Sequence, residues 1–79
     1  MKLTYDPEHN IAYIRLRPKK GRVRTVVVSE ELNIDVAEDG SIYGIELLNA
    51  NEQLKADNRM AVTVENSQSG ESKEIALSL

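Results

Sequence analysis

From Lys2 to Leu47 the apolar residues recur at nearly every second position, a period that extended strands satisfy and helices do not. Ile11 to Arg17 shows it most plainly. Ala12, Ile14 and Leu16 fall on one side of an extended chain, and Tyr13, Arg15 and Arg17 on the other. Leu3 and Tyr5 make a shorter stretch of the same kind before the turn chemistry of Asp6-Pro7-Glu8-His9-Asn10. After the break at Pro18-Lys19-Lys20-Gly21, Val23 to Ser29 is a β-branched run. Its Val26-Val27-Val28 core predicts a strand apolar on both sides, and therefore a central strand or one at an interface. Leu32, Ile34 and Val36 alternate with Asn33 and Asp35, and Ile42 to Leu47 follows across Glu38-Asp39-Gly40-Ser41. Asp-Gly supplies the positive φ that a tight hairpin needs, so these last two strands are antiparallel neighbours.

Short links between successive strands predict a mainly β (α+β) chain: an antiparallel five-stranded meander, then one short helix. The helix is expected within Leu47 to Ala56, about two turns long, where Leu47, Leu48, Ala50 and Leu54 take helical spacing. Asn49 or Asn51 is placed to cap it and Asp57-Asn58 to end it. Residues 1–57 thus form the meander and helix. Residues 58–79 form a C-terminal extension, read as a hairpin or a tail. Val62 and Val64 on one arm and Ile75, Leu77 and Leu79 on the other alternate with polar or small residues around a Ser-rich loop.

The motif order Tyr5-Asp6-Pro7-Glu8, Ala12-Tyr13-Ile14-Arg15-Leu16, Val28-Ser29, Asn33-Ile34-Asp35, Glu38-Asp39-Gly40 and Gly44-Ile45-Glu46-Leu47-Leu48 resembles a known group. It is similar to the small prokaryotic family termed domain of unknown function 2283, over roughly the first two thirds of the chain. The resemblance implies a compact β-rich module with no established activity or catalytic residues. Some members lie beside genes for small toxin-like proteins, which implies a partner or antitoxin-like role.

The residues themselves offer little for catalysis. With no cysteine there is no thiol nucleophile and no thiolate metal site. The single histidine, His9, falls in a turn beside Glu8, where a solvated side chain is the expectation. Asp35, Asp39, Gly40, Ile42 and Glu46 match a calcium-binding EF-hand loop at its first, fifth, sixth, eighth and twelfth positions. Ala37 takes the third ligand position, however, and strands flank the segment where the motif requires helices. A hairpin accounts for it better. The expectation is therefore no enzyme, no metal and no cofactor.

Charge is segregated. Arg15, Arg17, Lys19, Lys20, Arg22 and Arg24 are six of the ten basic residues, with no acid among them. On a hairpin 15–24 they would make a basic β-ribbon able to follow phosphates. Yet the net charge is -3 with a pI near 5.1, and no Phe or Trp is present to stack on bases. A solvated face whose arginines pair with Asp35 and Glu46 is preferred, with the nucleic-acid ribbon as the alternative.

Seven Val, six Ile and eight Leu form the apolar set. In 79 residues this is a thin core, and chains so short often complete theirs by pairing. The sequence therefore predicts a protein-interaction module: a homodimer, or one bound to a small protein partner. Val26, Val27 and Val28, or Ile75, Leu77 and Leu79, would make the contact. No apolar run is long enough for a membrane span, and a cysteine-free chain without a leader is expected in the cytoplasm.

Overall fold

A computed structural model describes residues 1–19, 21–56 and 59–77. Five strands form one antiparallel sheet: β1 (Lys2–Asp6), β2 (Ile11–Arg15), β3 (Val23–Ser29), β4 (Leu32–Ala37) and β5 (Ile42–Leu48). A single helical turn, α1 (Ala50–Gln53), follows. A small sheet then joins β6 (Lys55–Ala56), β7 (Arg59–Glu65) and β8 (Ser72–Ala76). The chain is mainly β, and residues 59–76 form an antiparallel hairpin. No helix among the described residues is long and apolar enough to cross a membrane.

The strand order is β1-β2-β5-β4-β3, which departs from a sequential meander at one connection. β5 pairs with β2 along Ile11↔Leu48 to Arg15↔Gly44, so it lies where β3 was expected. The segment from Leu16 to Arg22 therefore passes from the second strand to the far edge of the sheet. Residues 15–24 are not a hairpin. β3 is an edge strand, not a central one, and Val27 and Val28 are 72% and 57% exposed.

The helix is shorter than its leucine spacing suggests, because Leu47 and Leu48 belong to β5. Leu47 pairs with both Ala12 and Leu32, and Leu48 pairs with Ile11. Asn49 then reverses the chain in the left-handed region (φ 55°), with no side-chain cap bond to the turn that follows. Asn10, also left-handed at φ 56°, anchors that reversal. Its carbonyl accepts the Ala50 N–H at 3.0 Å, and its Oδ1 accepts the Asn51 N–H at 2.6 Å. Gln53 ties the far side, donating to the Glu31 carbonyl at 2.7 Å. Three turns are thus knitted at one end of the sheet. There α1 lies against β2, and Ala12 and Ala50 are fully buried. They and Ala61 are the only buried apolar residues among those described.

Candidate functional site

Residues directly opposite in an antiparallel sheet share a face, so the register assigns each side chain to a side. One row runs Leu3, Ile14, Ile45, Ile34, Val26 across all five strands. A second row, two residues along, runs Tyr5, Ala12, Leu47, Leu32 across four of them. The nine residues are apolar or aromatic, yet only Ala12 is buried. α1 lies over Ala12 on β2, and the remainder is half-buried.

The opposite face is polar and internally bonded. Tyr13, Glu46 and Asn33 lie in one row, and Arg15, Gly44, Asp35 and Thr25 in the next. The Tyr13 ring passes over β5 at Gly44 and donates its hydroxyl to Asp35 Oδ2 at 2.6 Å. Thr25 donates to Asp35 Oδ1, also at 2.6 Å. Asn33 donates to Glu46 Oε1 at 2.9 Å. Burial, and then the bond to Asp35, pushes Tyr13 well above the usual tyrosine range. The network spans four strands and locks their register. Asp35 and Glu46 carry out this task in place of an arginine-paired face. Arg15, Arg17, Arg22 and Arg24 are exposed and make no ion pair among the described residues.

Strand order scatters the basic segment. Arg15 sits opposite Lys2 on the polar face, whereas Arg24 is opposite Val36 on the edge strand. Arg17 lines an open cleft of about 430 Å³ with Val23, Tyr43 and Glu38, and Lys20 lies outside the described residues. The Asp39-Gly40 turn forms as the sequence indicates, with Gly40 at φ +88° and both Ser41 donors on Asp39 Oδ1. Those bonds hold the Asp39 carboxyl below its ordinary range.

His9 is exposed, with Nδ1 2.8 Å from Asp6 Oδ2. That hydrogen bond, chiefly, lowers the Asp6 pKa. The other Asp6 oxygen accepts the backbone N–H groups of Glu8 and His9. Asp6 therefore closes the β1–β2 turn.

Of the residues expected at an association surface, Val26 belongs to the aliphatic row, and Val27 and Val28 stand at the sheet edge beside a bulge. Ile75 lies on the hairpin, 48% exposed. Leu77 follows it with its N–H on the Met60 carbonyl at 2.9 Å. Leu79 lies outside the described residues. The role of Gly44 is not evident from composition. Its signal in the sequence is a lone glycine inside an alternating strand, which marks a close approach.

Fold and faces together define a small antiparallel-sheet protein with one hydrogen-bonded polar face and one aliphatic face that is only half-buried. The chain belongs to the family described as protein of unknown function (DUF2283), whose model matches residues 2–51. No curated protein and no solved structure matches it.

Proposed function

We propose that this chain is a protein-interaction module whose aliphatic sheet face is covered by a second copy of itself. The carrying observation is the five-strand aliphatic row Leu3, Ile14, Ile45, Ile34, Val26, every member of which is only half-buried. The exposed area supports it. The chain presents 6091 Å², whereas a compact protein of 8.8 kDa exposes about 4,800 Å². The excess of roughly 1,300 Å² is more than the ~800 Å² each partner gives to a standard interface. Val27 and Val28, 72% and 57% exposed at the sheet edge, extend the apolar surface available for association.

The basic ribbon draws no comparable support, since its arginines occupy different strands and faces. Sedimentation equilibrium from low to high micromolar concentration tests the self-association. A dimer is expected, together with its loss in Ile34→Lys, whose side chain sits mid-row on the aliphatic face. A wild-type chain that stays monomeric throughout would overturn the proposal.

A further inference from the structure

The C-terminal hairpin carries a second apolar surface, part of it exposed. Val62 pairs with Ile75, and Met60 lies opposite Leu77 through the backbone bond between them, so these four share one side. Val64 stands on the same side at 58% exposure, and the register puts Lys73, opposite Val64, and Lys55, opposite Met60, at the ends of this stripe. The other side is small or polar: Ala61↔Ala76, Thr63↔Glu74 and Glu65↔Ser72. Such one-sidedness belongs to a hairpin that lies on something, and an isolated two-stranded hairpin is marginal in water.

Its own sheet does not cover the outer part of the stripe, where Val64 and Ile75 are 58% and 48% exposed. The hairpin shares no backbone pairing with the five-stranded sheet. The Ala61 N–H on the Leu54 carbonyl (3.2 Å) and the β6–β7 pairing hold its base at the end of α1. From there the stripe runs on with Val64 and Ile75 left exposed.

We infer that the dimer forms by exchange, with the β7–β8 hairpin of each chain seated on the aliphatic face of its partner's sheet. This rests on the self-association proposed above and adds the segment that performs it. Direct stacking of two sheets would cover the sheet faces and leave both hairpin stripes in water. Exchange covers all four apolar surfaces. The dimensions agree, because the seven residues of β7 extend roughly 23 Å and the outer strands of a five-stranded sheet lie about 19 Å apart. A hairpin laid across the strands thus reaches from one edge of the partner's sheet to the other.

The cysteine-free sequence gives a clean test. Full-length Ile34→Cys and full-length Val62→Cys chains are mixed unfolded, refolded together and mildly oxidised. Ile45→Cys with Ile75→Cys serves as a second pair, and circular dichroism confirms β structure in each. The expected product is a disulfide-linked mixed dimer in at least one pair, several-fold above the dimer from either variant alone. Three results would overturn the exchange. Sheet-face variants linking mainly to themselves, or no cross-link from a chain that sediments as a dimer, would leave self-association standing. An intrachain disulfide in a monomeric Ile34→Cys/Val62→Cys double variant would remove both proposals.

Discussion

At the scale of single residues, the polar face depends on a side chain that is absent. A Cβ built on Gly44 would come within 2.6 Å of Cε1 and Cζ of the Tyr13 ring, which crosses β5 to reach Asp35. Real Cβ atoms do not approach so closely, so ring or strand must shift. The crowding is steric, since the backbone at Gly44 is not left-handed. Gly44→Ala is therefore expected to destabilise the fold by about 1–3 kcal/mol in urea denaturation. The penalty should largely vanish in a Tyr13→Ala background, because the two positions share one contact. An equal penalty in both backgrounds would refute the crossing geometry. Tyr13 also imposes a pH dependence. Burial and Asp35 raise its folded-state pKa above the value near 10 of an unfolded tyrosine. The folded chain thus holds this proton longer than the unfolded one. Stability from this group is whole below about pH 10 and falls as pH rises beyond it. Denaturation midpoints of Tyr13→Phe should decline less steeply than wild type above that point.

At the scale of elements, what alternation could reveal and what it could not are divided by locality. Val23 to Ser29, Leu32 to Val36 and the Asp39-Gly40 turn announce themselves because each signal lies within a few residues of what it specifies. Strand order does not, since Leu16 to Arg22 is long enough for a hairpin or for a crossing. The choice falls to the pairing of β2 with β5, which brings Ile14 opposite Ile45 and Tyr13 opposite Glu46. The leucines at 47 and 48 suit either a helix start or a strand end, and tertiary pairing with Ile11, Ala12 and Leu32 decides for the strand. The triple valine has the same ambiguity. It reads equally as a central strand or an interface, and the strand order removes the first of these. The polar network was out of reach for the same reason: Tyr13 and Asp35 meet only because β5 lies between their strands with a glycine at the crossing.

At the scale of the whole molecule, the thin core and the half-buried aliphatic face are one property. The radius of gyration is 14.1 Å, against about 11.6 Å for a compact chain of this length. The extra extent accompanies unshared surface, because no large apolar side chain among the described residues is fully buried. Folding alone thus leaves much of the hydrophobic gain unrealised, and covering the face with a second copy would recover it. Stability then becomes a function of concentration, as for any folded state that a partner binds and the unfolded state does not. The melting temperature should rise with protein concentration, and rise less in Ile34→Lys than in wild type. Gly44→Ala supplies the control. It weakens the sheet from the polar side without touching the aliphatic face, so it should lower the melting temperature while preserving the concentration dependence. Scanning calorimetry at concentrations spanning a hundredfold checks both, and a wild-type melting temperature independent of concentration would show a monomer that endures its exposed face.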